Sequence, residues 1–158
     1  IESLLTTFVH SVQIEPRIVI PNGAYNPARH QYRAVHLLDR LNGCARHDTF
    51  RVIGLIDEDI YTPGAQHAYG AHEPGTRAII LGLRRLTSPL AIQHGYESAE
   101  AQQRIATLVV RQICSSLSLE VCFDPACTRS TETTLASVVN KSTQLCPSCR
   151  SRLSPWLR

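Results

Sequence analysis

The chain of 158 residues has no methionine, one tryptophan and only 6% aromatic residues. No stretch approaches the roughly eighteen consecutive apolar residues that a membrane-crossing helix needs, so no membrane partner is expected. Charge of one sign is equally scarce. The formal net charge is +3, and the densest basic group is the small one around Arg150, Arg152 and Arg158. That excess is compatible with a ribonucleoprotein particle but too weak to argue nucleic-acid binding by itself. The N-terminus lacks the basic start, apolar stretch and small-residue cleavage site of a secretory signal. With Ile1 as its first residue, the sequence is expected to be an excised or processed portion, which leaves room for a removed targeting peptide. A soluble protein of a reducing intracellular compartment is the expectation. No internal repeat and no Gly/Pro/Ser-rich linker divides the chain, so one domain over 1–158 is expected.

The remaining composition is that of an ordinary globular domain, 43% hydrophobic and 18% charged, enough for one sizeable core. Two β-branched runs, Ile1–Val9 and Arg17–Ile20, read as strands, and Pro21-Asn-Gly23 as a turn leading into a loop over Asn22–Arg29. Between Gln31 and Leu41 the apolar residues Ala34, Val35, Leu38 and Leu41 recur at helical steps, and Asn42-Gly43 is a stop signal. Phe50–Ile56 and Ala78–Leu83 are short apolar runs suited to strands of a covered sheet. Glu97–Leu119 carries the longest helical pattern, with Ala101, Ile105, Leu108, Val109 and Ile113 on one face. A short helix is expected around Leu135–Asn140. This order implies helices packed on one mixed sheet, an α+β or α/β-like arrangement. The chain is thus read as a sheet-and-helix half over 1–96, a long helix over 97–121 and a cysteine-bearing tail over 122–158.

Four of the six cysteines form two short pairs, Cys122 with Cys127 and Cys146 with Cys149, eighteen residues apart. Two cysteines a few residues apart can both reach one ion, because the loop between them curls around it. A four-sulfur set leaves no open position, so the expected ion is one structural Zn²⁺. In a tail with few large apolar residues, metal-binding energy serves as folding energy. Two disulfides or unrelated buried thiols are the alternatives, and the paired spacing favours zinc. Cys44 and Cys114 have no partner at such spacing and read as small buried hydrophobes.

A resemblance covers nearly the whole chain. Arg111-Gln-Ile-Cys-Ser-Ser-Leu-Ser-Leu-Glu-Val-Cys122-x4-Cys127-x-Arg129, with Cys146-Pro-Ser-Cys149 downstream, resembles the archaemetzincin pattern H-E-x-x-H-x-x-G-x-x-H-C-x4-C-x-M followed by C-x-x-C. Tyr25-Asn-Pro-Ala-Arg-His-Gln-Tyr32, Ile53-Gly-Leu-Ile-Asp-Glu-Asp-Ile-Tyr-Thr-Pro63, Ala68-Tyr-Gly-Ala71 and Leu83-Arg-Arg-Leu86 echo further segments of that family. The resemblance implies a metzincin-like fold whose central helix would hold a catalytic zinc on three histidines, with a glutamate activating water. Here those histidine positions are Arg111, Ser115 and Val121, and the glutamate position is Gln112. Ser118 stands at the turn glycine and Arg129 at the methionine beneath the site. Arginine stays protonated, serine is a poor zinc ligand at neutral pH, and valine has no donor atom.

The implied reading is a catalytically inactive archaemetzincin-like pseudopeptidase, a structural or binding subunit with a protein partner or a multisubunit assembly. The alternative is a zinc metallopeptidase of unusual ligation acting on short peptides. His67 and His72, with Asp57, Glu58 or Asp59, are the only obvious material for a replacement site. Spacing places no third ligand there, so they read as surface loop histidines and Asp57-Glu-Asp59 as a solvated turn. Arg111 and Arg129 are expected as structural arginines, paired with Glu120, in preference to a cleft for an acidic group. Tyr25, Tyr32 and Tyr61 are expected to pack against the sheet.

Overall fold

The computed structural model describes residues 11–86, 96, 98–130 and 143–156. The strand expected over Ile1–Val9 and the helix expected around Leu135–Asn140 lie outside the described residues. The architecture is mixed α+β, with small sheets and helices. It divides into two compact units, one of Arg17–Ser88 and one of Pro89–Arg158 together with Ile1–Pro16.

In the Arg17–Ser88 unit the elements are β1 (Tyr25–Asn26), β2 (Gln31–Arg33), helix α1 (Ala34–Asn42), β3 (Val52–Ile56), β4 (Ile60–Tyr61), β5 (Gly70–His72) and β6 (Ala78–Gly82). The two apolar runs pair in parallel, from Val52 opposite Ala78 to Ile56 opposite Gly82. β5 joins the other edge of β6 antiparallel, so β6 is central and all five of its residues are buried. An uninterrupted apolar run is what a strand covered on both faces requires. Helix α1 lies against β6 and β3. Its Leu41 reaches so close that a Cβ on Gly54 would come within 2.6 Å of Leu41 Cδ1. Burying Leu37, Leu38 and Leu41 contributes about 1.5–3 kcal/mol each as an upper estimate.

Several expectations are corrected here. Arg17–Ile20 forms no strand and is exposed throughout, because β-branched composition favours a strand only where a neighbour accepts its backbone. The expected single mixed sheet is two, β1-β2-β4 and β3-β6-β5, since the chain turns at Asp57–Asp59 and β4 pairs with β2. The segment read as a loop contains β1. In α1 the buried stripe is Ala34, Leu37, Leu38 and Leu41, while Val35 is 40% exposed. At 3.6 residues per turn, Val35 sits roughly 100° around the helix from the centre of that stripe.

The Asp57–Asp59 turn is not wholly solvated. Asp59 is buried, and its carboxylate accepts hydrogen bonds from Arg85 Nε at 2.8 Å and Gln31 Nε2 at 2.9 Å, while Arg85 Nη2 lies 2.7 Å away. The Asp59 carbonyl also accepts from the Tyr32 N–H at 2.8 Å. Tyr61, buried as expected, accepts from Asn26 Nδ2 at 2.9 Å and Arg33 Nε at 2.6 Å, whereas Tyr25 is exposed and leans on the Tyr32 ring. These bonds hold β2, β4 and the turn in register.

In the second unit, helix α2 (Ala99–Ser116) begins at Ser98, whose Oγ accepts from the Ala101 N–H at 3.2 Å. Ala101, Ile105, Leu108, Val109 and Ile113 are all buried, as their spacing predicts. Helix α3 (Pro147–Leu153) begins with a proline, whose missing N–H costs nothing at a helix start, and runs into a 3₁₀ turn over Ser154–Trp156.

Burial alone would raise the Asp59 pKa, but the Arg85 and Gln31 hydrogen bonds outweigh it and hold the carboxyl below its ordinary value. A depressed folded pKa adds stability that is present above the unfolded value of about 3.9 and is lost as pH falls through the folded value. Asp59→Asn is therefore expected to destabilise the protein by about 1.5–3 kcal/mol at pH 7. Thermal melts at pH 7 and pH 3 should show the gap between wild type and variant shrinking in acid.

Candidate metal centre

The two cysteine hooks close onto one point. Their four sulfur atoms lie within 4.8 Å of one another, and Cys122 Sγ and Cys146 Sγ are 3.7 Å apart. A tetrahedron with Zn–S of about 2.3 Å has an edge of about 3.8 Å, so the spacing fits that ion. Cys122, Cys127 and Cys149 are buried and Cys146 is partly so. All six cysteines are free thiols, which sets aside the two-disulfide reading. Cys122, Cys127, Cys146 and Cys149 are the residues that could hold the zinc, and its role there would be to cross-link the two hooks.

Local sequence explains each hook. Asp124 Oδ1 accepts from the Ala126 N–H at 2.9 Å, and the Asp124 carbonyl accepts from Cys127 at 3.1 Å, so an aspartate-led turn brings Cys127 back toward Cys122. The Cys122 N–H donates to the Arg129 carbonyl at 2.9 Å and closes the loop. In the second hook Cys146 caps α3, its sulfur accepting from the Cys149 N–H at 3.5 Å. The Cys146 N–H reaches Cys127 Sγ at 3.4 Å, and Thr128 donates to the Gln144 carbonyl through both N–H and Oγ1, at 3.0 and 2.7 Å. Thr128 and Gln144, which tie hook to hook, have no metal-ligand signature and could not be found by spacing.

The thiols are unequal. The Cys149 N–H lowers the Cys146 pKa, burial raises that of Cys127, and burial with the neighbouring thiols raises that of Cys149. A bound dication displaces the protons, so affinity falls in acid.

The positions that the resemblance assigns to catalysis lie beside this centre. Arg111 and Ser115 are one turn apart on α2. Arg111 Nη1 donates to the carbonyls of Thr128 at 2.7 Å and Ser130 at 3.4 Å. Arg129 returns the contact, its Nη1 donating to Ser115 Oγ at 2.6 Å and its Nη2 to the Leu119 carbonyl. Arg129 is only 5% exposed, and its Nε is buried without an acceptor among the described residues. Burial and then the nearby Arg129 charge lower the Arg111 pKa. The expected pairing with Glu120 is corrected: Glu120 is exposed and approaches Arg152 at 3.9 Å, because the arginines point inward to carbonyls. Gln112 is half-buried on α2, and Val121 is 51% exposed. Ser118 has φ +59°, so the left-handed turn that suits glycine is formed by serine.

Among the remaining candidates, Cys114 is buried as expected, packed with Val110 and Leu153, and burial pushes its pKa to about 11. Cys44 is exposed instead, at the end of α1 against Arg40. His67 packs edge-on to Tyr69, and His72 lies in β5 and not on a loop. Among the described residues, no group of three or more possible ligands includes either histidine or Asp57, Glu58 or Asp59.

No family model matches the chain. Over 90 residues it is 36% identical to the archaemetzincin of Methanopyrus kandleri, a match covering 56% of this chain and half the length of that curated relative. The crystal structure of the Methanopyrus kandleri archaemetzincin is similar with a TM-score of 0.81 and 28% identity, covering 98% of this chain and 82% of that one. A zinc-dependent peptidase from Methanocorpusculum labreanum shares the fold at TM-score 0.79 and 21% identity, over 96% of this chain and 90% of its own. The Archaeoglobus fulgidus archaemetzincin, crystallised with malonate, does so at 0.74 and 21%, over 95% and 90%.

Purified protein is expected to carry one zinc per chain by elemental analysis. Cys127→Ser should abolish stoichiometric zinc and lower the melting temperature, and a strong chelator should reproduce the loss. Ser118→Gly should relieve about 1–2 kcal/mol of left-handed backbone cost, seen as a higher midpoint in denaturant.

Proposed function

Because the chain is a homologue of the archaemetzincins by sequence and by fold, we propose that it is a pseudopeptidase, keeping the structural four-cysteine zinc but having no catalytic one. The observation that carries this reading is the Arg129 guanidinium, buried and hydrogen-bonded to Ser115 Oγ at 2.6 Å. Ser115 stands where the resemblance implies a zinc-binding imidazole. A permanent cation bonded to that side chain repels a dication and offers it no lone pair. Arg111 adds a second fixed positive charge one turn earlier, and Gln112 supplies an amide where a water-activating carboxylate is implied. Retention of the left-handed turn at Ser118 supports a fold kept after its chemistry was given up.

The activity that remains is contact. We read the chain as a structural or binding subunit of a larger protein or ribonucleoprotein assembly. Phe123, 88% exposed beside a zinc ligand, together with Val121 and Trp156, supplies apolar surface for a protein partner. A reducing intracellular compartment suits free thiols holding zinc.

With zinc in excess, the protein is expected to leave short peptides uncleaved and to bind no second ion through nitrogen or oxygen. X-ray absorption showing sulfur-only ligation would agree, whereas peptide hydrolysis abolished by a chelator would restore the unusual-ligation peptidase. The joint substitution Arg111→His, Gln112→Glu, Ser115→His, Val121→His and Arg129→Met should add a second zinc, and the same set without Arg129→Met should not. For the assembly, the native protein should elute from size exclusion with copurifying chains. Elution as a lone monomer would sink that half of the proposal.

A further inference from the structure

A zinc ion on four thiolates carries a net charge of −2, which a buried site must offset. Among the described residues, the charged groups around the cysteines are Asp124, Glu120, Arg111, Arg129, Arg150 and Arg152. Asp124 and Glu120 have the wrong sign. Arg150 and Arg152 are exposed, so solvent screens them. Arg111 and Arg129 differ from all of these. One is half-buried and the other 5% exposed, and among the described residues their guanidinium groups donate to neutral oxygens: Thr128, Ser130 and Leu119 carbonyls and the Ser115 hydroxyl. Two guanidinium groups close enough to repel each other, with no carboxylate on either among the described residues, would be expensive if nothing else balanced them. Both are tied to the zinc hook itself. Arg111 grips the carbonyl of Thr128, the residue after Cys127, and the Arg129 carbonyl accepts from the N–H of the ligand Cys122 at 2.9 Å.

We infer that Arg111 and Arg129 are the fixed counter-charge of the tetrathiolate zinc centre. This rests on the four-cysteine zinc reading and not on the loss of peptidase activity. Zinc and the arginine pair then stabilise each other.

The test compares zinc affinity, by competition with a chromophoric chelator, in wild type, Arg129→Met, Arg129→Lys and Arg111→Met, with the sulfur-to-cobalt charge-transfer band of the cobalt-loaded proteins alongside. Arg129→Met should weaken zinc binding about 10- to 100-fold, the range usual for groups supporting metal ligands. Arg129→Lys, keeping the charge, should recover most of it. Loss of positive charge leaves the thiolates more electron-rich, so the cobalt band should move to lower energy in Arg129→Met and Arg111→Met and stay near its place in Arg129→Lys. If Arg129→Met does not fold, Arg111→Met carries the same expectation at a half-buried position. Unchanged affinity and band in both methionine variants would overturn the inference. Equal weakening by Lys and Met with an unmoved band would reduce Arg129 to a packing strut. Saturable stabilisation of wild type by malonate or acetate, lost in Arg129→Met with zinc affinity unchanged, would show that the pair awaits an external carboxylate. Absence of zinc from wild type would end both the inference and the zinc reading on which it rests.

Discussion

The convergence of four sulfur atoms is the constraint on which the Pro89–Arg158 unit depends. The first hook is built from residues that cannot make a core: Val121, Phe123, Asp124, Pro125 and Ala126 are all exposed. What fixes it is the return of Cys127 toward Cys122 and the two hydrogen bonds from Thr128 to the Gln144 carbonyl. The second hook starts α3, and α3 places Leu153 against Val110 and Cys114 on the last turns of α2. Helix end, hooks and short helix thus form one closed loop of contacts. A metal can close such a loop where apolar burial is insufficient, since its binding energy appears directly as folding energy.

Buried charge is handled in opposite ways at Asp59 and at the Arg111–Arg129 pair. Within Arg17–Ser88, Asp59 meets Arg85 and Gln31 directly, and the ion pair sits in the turn that sends the chain from β3 to β4. In the other unit, two arginines face carbonyls and a hydroxyl, with Glu120 turned away to Arg152. The first arrangement is complete as a side-chain pair. Among the described residues the second has no carboxylate partner, so the metal centre and the neighbouring arginine pair are one physical problem.

Much of this was legible from residue order. Helical periodicity located α2 and its buried face, and the apolar runs located β3 and β6 within a residue or two. Paired cysteines marked the four sulfur atoms that could hold a metal. What failed shares a cause. Arg17–Ile20 has strand composition but pairs with no strand among the described residues, and a strand exists only through its partner. Asp59 and Glu120 look alike as acidic residues beside turns, yet one is buried against Arg85 and the other is exposed. Cys44 and Cys114 likewise differ only in what surrounds them.

Residue order alone carries the helix faces, the two central strands, the four clustered thiols that could hold a metal and the lack of zinc-donor side chains at Arg111 and Val121. These follow from side-chain chemistry and from spacing along one chain. The tertiary structure decides that the mixed sheet is two sheets, that Ser118 has a left-handed conformation suited to glycine and that Arg129 is buried on Ser115 with no carboxylate among the described residues. Those outcomes depend on which distant backbone atoms come within hydrogen-bonding distance and how much water they exclude, and neither is a property of any local stretch of residues.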